Sequence, residues 1–262
     1  MPDFIGQSSV IRELNFLIPR ATEGENYNIL FSARTGYGKT FLALKVVSRV
    51  APYHMFLTED ANEIVQRIRE RTTRVNIVDE VQLLRNIELL YPIMDAGRHL
   101  LLFTTNQGYD LPEAFKRRCI PMLFGKYNKT ELAKIAADRF PDVELSKQCL
   151  DRIVSSSNYT PGNIVLLCIR LQAVFGGRRG FTVAELDDAL INIFNIRNGL
   201  DVRCQEYMEI LQRLGHASLD VLAYSMGVNK DTITTEVENV LLARNLIRIT
   251  SKGRSLTNDE NN

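Results

Sequence analysis

At 262 residues, 45% of them hydrophobic, the chain can bury a sizeable core as one large domain or two to three small ones. Its 32 Lys and Arg against 31 Asp and Glu leave a formal charge of +1, which excludes a global basic field, so any nucleic-acid footprint must be local. The four cysteines, Cys119, Cys149, Cys168 and Cys204, form no C-x-x-C pair and the three histidines are scattered, which excludes a zinc pattern and points to a reduced, cytoplasmic setting.

The first residues lack a charged n-region and an apolar h-region, and no apolar run approaches membrane-spanning length, so a soluble, unexported protein is expected. Helical spacing of Val10, Leu14, Leu17 and Ile18 predicts a helix over 9–21, and residues 27–31 read as a buried strand. That strand feeds Ile29-Leu-Phe-Ser-Ala-Arg-Thr-Gly-Tyr-Gly-Lys-Thr40, a P-loop in which only the first position of G-x-x-x-x-G-K-[ST] departs, with Ala33 for Gly. Backbone N–H groups of residues 34–39 would wrap the phosphates of ATP, and the following helix would turn its positive end to them. Thr35, Gly36, Tyr37, Gly38, Lys39, Thr40 and Phe41 are the candidate nucleotide-binding residues. Lys39 would reach the β/γ-phosphates as a point charge and the Thr40 hydroxyl would sit on Mg²⁺.

A second apolar run at 55–57 precedes a helix over 61–71 with Ile64, Val65 and Ile68 on one face. Arg67, Arg69, Arg71 and then Arg74 lie on the other, as a solvated surface interleaved with Glu63 and Glu70 or as a DNA contact. The strand Val75-Asn-Ile-Val-Asp-Glu80 ends in two acids: Asp79 would stand in the Mg²⁺ shell and Glu80 would polarise an attacking water. After a helix carrying Ile87, Leu90, Tyr91 and Met94, the strand Leu100-Leu-Leu-Phe-Thr-Thr-Asn106 ends in small polar groups. There Asn106, or Thr105, would hold the water from the far side, or Asn106 simply closes a strand–turn junction.

Four amphipathic helical patterns follow, at 130–138, 146–156, 161–175 and 182–194, punctuated by Gly176-Gly177 and Gly180. From residue 202 the order is helix, Gly215, helix 218–225, Gly227, helix 230–244 and a strand at 246–249. Three helices and a hairpin make a winged helix, a module that contacts DNA or serves as a protein contact or spacer. Its candidate phosphate contacts are Lys230, Arg244, Arg248, Lys252 and Arg254. The polar end, residues 258–262, is expected to be a frayed tail.

The order of P-loop, Asp-Glu strand, Thr-Thr-Asn strand end and Leu111-Pro-Glu-Ala-Phe-Lys-Arg-Arg-Cys119 resembles the AAA+ ATPases. Arg118-Cys119 is similar to the Ser-Arg-Cys element of clamp-loader subunits and to the Arg-Phe of the RuvB branch-migration motors. That likeness implies that Arg118 is a finger reaching the ATP site of a neighbouring subunit. Within AAA+ the chain resembles the RuvB family nearly end to end. Phe4-Ile-Gly-Gln7 implies that Phe4 and Ile5 lie against the adenine; Leu89-Leu-Tyr-Pro-Ile-Met94 resembles a family helix; Gly199-Leu-Asp201 and Gly253-Arg-Ser-Leu-Thr257 look like the bounds of its winged helix.

The implied architecture is an α/β AAA+ core with a parallel sheet at 1–125, an all-α lid at 126–197 and a winged helix at 198–257. The implied activity is ATP hydrolysis between subunits of a ring or open spiral, a homo-oligomer of hexameric type, with movement along or remodelling of duplex DNA as its output. Two departures are visible. The family's lid carries Thr-Pro-Arg, and here Thr160-Pro-Gly-Asn163 puts Gly162 in the place of the arginine that senses the γ-phosphate. Hydrolysis would then be slower or differently coupled, or Arg170 would substitute. Met94 and Thr104 are only ten residues apart, which leaves no room for the family's RuvA-gripping hairpin, so no RuvA-like partner is expected. An AAA+ loader or remodeller of a protein partner such as a helicase or clamp stays open, as does an ATP-gated DNA-binding switch with little turnover.

Overall fold

A continuous run of apolar residues such as 100–103 suits a strand buried on both faces, which is how parallel sheets are built, and 75–78 follows the same pattern with buried Asn76 as its one polar member. The computed structural model describes residues 4–50, 52–57, 60–70, 73–106 and 110–257; Arg71 and the tail expected at 258–262 lie outside them. In chain order the nucleotide-binding region has α1 (Ser8–Thr22), β1 (Asn28–Ser32), α2 (Lys39–Val47), β2 (Tyr53–Leu57), α3 (Ala61–Glu70) and β3 (Val75–Asp79). It continues with α4 (Tyr91–Asp95), β4 (Leu100–Thr105), α5 (Glu113–Lys116) and β5 (Ile120–Leu123). The five strands are all parallel in the order β2-β3-β4-β1-β5.

Alternation along each strand splits the interior into two layers. Ile29, Phe31, Val75, Ile77, Leu100 and Leu102 pack with α1 and α2, whereas Leu30, Val78, Leu101 and Phe103 pack with α3 and α4. The order places β4 between β1 and β3, so the loops leaving β1 and β3 flank the carboxyl end of β4, where ligands of open parallel sheets bind. The helix expected through Ile87–Met94 is divided: a 3₁₀ turn, Ile87–Leu90, precedes α4, whose second residue is Pro92. Proline has no N–H for an α-helical bond, so the chain enters α4 through the tighter turn.

The described chain forms two compact units, one reaching to Ile135 and including Thr160–Val165, the other comprising Ala136–Tyr159 and the chain from Leu166 onward. The helical stretch has α6 (Lys129–Ala137), α7 (Lys147–Ser156), α8 (Pro161–Phe175) and α9 (Val183–Asp188). Ser146 caps α7, and Thr182 with Glu185 forms a capping box on α9. The last region contains α10 (Val202–Leu214), β6 (His216–Ala217), α11 (Leu219–Met226), α12 (Lys230–Thr232), α13 (Asn239–Ala243), β7 (Ile247–Thr250) and β8 (Gly253–Leu256). Its antiparallel sheet has the order β6-β8-β7 over a core that includes Cys204, Tyr207, Leu211, Leu222, Ile233, Val237 and Leu241.

Two helices expected to be regular carry π turns, Ala189–Ile193 after α9 and Ile233–Glu238 between α12 and α13. A π turn inserts a residue into the helical phase, so a polar residue can fall on the buried face. Glu238 does so. Among the described residues no helix is long and apolar enough to cross a membrane.

Candidate functional site

The P-loop is shaped by backbone conformation before any side chain acts. Gly36 and Gly38 have φ of 79° and 86°, the left-handed region that favours glycine, whereas Ala33 needs no positive φ. That is why alanine is accepted at the motif's first position. Ala33 N–H donates to the Thr105 carbonyl at 3.2 Å, tying the loop to the end of β4.

Lys39 opens α2 and is 5% exposed; its Nζ donates to the carbonyls of Ala33 at 3.0 Å and Arg34 at 3.3 Å. Burial pushes its pKa down, opposed by the negative charges of Glu80 and Asp79. A phosphate seated in the loop would supply the charge partner that the carbonyls only approximate. Thr40 Oγ1 donates to Asp79 Oδ1 at 2.8 Å, and Thr104 Oγ1 donates to the same oxygen at 2.5 Å. The hydroxyl and carboxylate expected to meet at Mg²⁺ are therefore adjacent, and an oxygen-ligand set of one hydroxyl and one carboxylate suits a Mg²⁺ that also takes phosphate oxygens and waters. The residues fit ATP with Mg²⁺.

Thr104 carries more than the sequence suggested. Fully buried, it donates its hydroxyl proton to Asp79 and accepts Glu80 N–H at 2.9 Å, so one threonine orients both acids. Glu80 lies in the left-handed region at φ 49°, an uncommon conformation outside glycine that clusters at functional sites. A 3₁₀ turn, Val81–Leu83, follows and brings Gln82 back to the acid: Gln82 Nε2 donates to Glu80 Oε2 at 2.5 Å and to Asn106 Oδ1 at 2.9 Å. Gln82 was not singled out from the sequence; its signal is only a polar side chain in an apolar turn two residues beyond the acids.

At the expected adenine side, Phe4 stacks on Phe41 with ring centroids 5.9 Å apart and meets Phe124 edge-on. Ile5 is half-buried beside it. Gln7 exchanges two hydrogen bonds with the Gly125 backbone, at 2.8 and 2.9 Å, and so staples the opening segment to the chain leaving β5. Tyr127, which no motif marked, packs edge-on against Tyr37 and donates its hydroxyl to the Tyr37 carbonyl at 3.0 Å. Burial pushes its pKa up to about 12, so it stays a donor throughout the physiological range.

Gly162 is not merely an arginine position left empty. Its N–H donates to the Gly36 carbonyl at 2.8 Å, and a Cβ built on it would lie 2.8 Å from Gly36 Cα and 3.1 Å from Gly36 O. Both neighbours are backbone and cannot swing aside. Gly162→Ala is expected to lower stability by about 1–3 kcal/mol through overpacking and to weaken ATP binding, checked by denaturant unfolding and nucleotide titration. Gly162→Arg, built to restore the family residue, is expected to lower turnover rather than raise it. Arg170 stacks on Phe194 at 4.1 Å, a partner within its own helical unit.

Arg118 is at the surface after α5. Its guanidinium makes paired bonds to Asp95 at 2.9 and 3.1 Å, donates to the Ala114 carbonyl at 2.7 Å and lies 4.5 Å from the Tyr91 ring centroid. Its own carbonyl accepts from Asn28 Nδ2 at 3.0 Å, and the same amide donates to the Met94 carbonyl at 3.3 Å.

Two candidate phosphate contacts in the winged helix require correction. Arg244 spends its guanidinium on the carbonyls of Asn198, Ser155 and Gly199 and on Asn158 Oδ1, at 2.6 to 3.1 Å. Arg254 faces inward: its Nε donates to Glu238 Oε1 at 2.7 Å, and buried Tyr207 donates its hydroxyl to the same oxygen at 2.8 Å. Their side chains are 17% and 4% exposed for Arg254 and Glu238. Breaking such a pair strands a buried charge, so Arg254→Met is expected to cost about 3–5 kcal/mol, and adding Glu238→Gln to recover much of it, in thermal melts of the full chain. Lys252 stays exposed in the turn between β7 and β8, Arg248 Nε bonds Ser255 Oγ at 3.0 Å, and Lys230 pairs with Asp220 at 2.5 Å. Near β3, Arg74 is turned onto Asn26 at 2.7 Å, and Arg67 faces Glu63 at 3.9 Å.

The family model described as the RuvB C-terminal winged helix domain matches residues 197–260. Over 98% of its length the chain is 27% identical to the Holliday junction branch migration complex subunit RuvB of Rhodopirellula baltica, covering 80% of that protein. It is 22% identical to the protein of that name from Mycoplasma genitalium, covering 98% of this chain and 93% of the relative. The solved Thermotoga maritima RuvB, titled a Holliday junction branch migration motor, superposes with a TM-score of 0.83 at 23% identity, over 98% of this chain and 94% of that one, and so shares the fold.

Proposed function

We propose that this RuvB-like AAA+ chain assembles into a ring or spiral of like subunits, binds and hydrolyses ATP between them, and moves along or remodels duplex DNA. The observation that carries this is the cluster at the ends of β3 and β4. Asp79 is held by Thr40 and Thr104, and Glu80 is held beside Asn106 through Gln82. Pure binding needs no second acid placed in this way.

In this assignment the P-loop amides and Lys39 bind the phosphates, and Thr40 with Asp79 would hold Mg²⁺, which would supply charge neutralisation at the phosphates. Glu80 takes the proton of the attacking water, and Asn106 fixes that water's position. Phe4 and Ile5 flank the base. Arg118 projects into a neighbour's site, as a homo-oligomer of hexameric type would require. Lys252 and Arg248 on the wing are the phosphate contacts to DNA, and the setting is the cytoplasm.

The relatives are named for Holliday junctions, so branched duplex belongs beside linear duplex among the substrates tested. α4 and β4 are joined by residues 96–99 alone, yet the relatives are named as subunits of a branch migration complex, so the expectation of no RuvA-like partner is not borne out. The test is ATP turnover without DNA, with linear duplex and with a four-way junction across a salt series. Stimulation that fades as salt rises is expected. Turnover indifferent to DNA overturns the motor and favours a protein client; tight ATP binding without turnover favours a switch.

A further inference from the structure

Gln82 makes its contacts with the wrong economy for a packing residue. Both amide protons are used, one on Glu80 Oε2 at 2.5 Å and one on Asn106 Oδ1 at 2.9 Å, which are the two groups assigned to the attacking water. Its Oε1 is buried and has no hydrogen-bond partner among the described residues. Buried polar atoms are ordinarily satisfied, so an amide half satisfied at this spot costs stability and needs a reason other than folding. The backbone also serves this placement. The left-handed Glu80 and the 3₁₀ turn closed by Leu83 N–H onto the Glu80 carbonyl at 2.9 Å fold residue 82 back over the acid.

We propose that Gln82 is a positioning residue for hydrolysis, which cross-links Glu80 to Asn106 and so sets the separation and orientation of the two groups that hold the water. It takes no proton and touches no phosphate; it acts through Glu80. Without the link, the Glu80 carboxylate would be free to rotate about its side-chain torsions, and the base and the positioning amide would no longer address one water together. The assignment rests on Glu80 and Asn106 having the roles given above.

The test is Gln82→Met, which keeps length and volume and removes both donors, compared with Gln82→His, which keeps one ring N–H, and with Glu80→Gln in parallel. Steady-state turnover, KM for ATP, affinity for a fluorescent ATP analogue and melting temperature are measured on the full chain. Expected is a fall of about 10²-fold in kcat for Gln82→Met, as for a small misplacement of a reacting group. KM and analogue affinity stay within about threefold, melting is unchanged or higher, and Gln82→His regains part of kcat. A residue that merely supported the fold would lower melting and affinity together. Gln82→Met with full kcat beside an inactive Glu80→Gln overturns the positioning role alone. Glu80→Gln with full kcat overturns the hydrolytic assignment on which it rests.

Discussion

Arg118→Ala is expected to lower ATP turnover by about 10³–10⁵-fold, the range over which an arginine finger stabilises charge on a transferring phosphoryl group. The fold should survive the change. Arg118 and Asp95 are a surface pair, and such pairs contribute little to stability, so a normal melt with lost turnover separates chemistry from unfolding. Arg118→Lys should not rescue, because a point charge lacks the planar fork that Asp95 and Tyr91 now orient. The sharper check is mixing. A subunit with Arg118→Ala keeps Glu80, and one with Glu80→Gln keeps Arg118, so their mixture contains some complete interfaces. Activity regained on mixing two inactive variants identifies action in trans; no regain places Arg118 in its own subunit's chemistry.

Glu80→Gln is expected to lower turnover by about 10²–10⁴-fold, the usual worth of general base catalysis, with ATP binding retained. The amide is nearly the same size and cannot accept the proton. Asp79 keeps both of its hydroxyl donors, from Thr40 and Thr104, so the Mg²⁺ side of the site is not disturbed. Single-turnover hydrolysis and a nucleotide titration on the same sample check both halves. Weakened binding in parallel with turnover would place Glu80 in the binding apparatus instead.

Phosphate geometry dictates residue type and spacing together, which is why the P-loop was legible in the sequence. The same holds for the strand ending in Asp79-Glu80, since a buried parallel strand and two terminal acids are both local features. Gln82 was not legible, because its role depends on a left-handed Glu80 and a 3₁₀ turn that nothing in residue order announces. Arg254 misled for a related reason. Periodicity counts 3.6 residues per turn, and the π turn at Ile233–Glu238 breaks that count just where it buries the acid that claims the guanidinium. Gly162 was read as an arginine removed, but the Gly36 backbone now occupies its space. A sequence shows the absence of a side chain; it does not show what has moved into the volume.

Strand β1 has the phosphate-binding loop at one end and, at the other, the Asn28 amide that holds the carbonyls of Arg118 and Met94. Its five residues span roughly 17 Å as an extended strand, stiffened by parallel neighbours on both sides. In the ring proposed above, β1 would be a rod whose two ends serve two different catalytic events, one in its own subunit and one next door. A shift of the loop on ATP release would be delivered to the neighbour's transition state without passing through the lid. In the proposed ring, timing between neighbouring sites would then be carried by a strand.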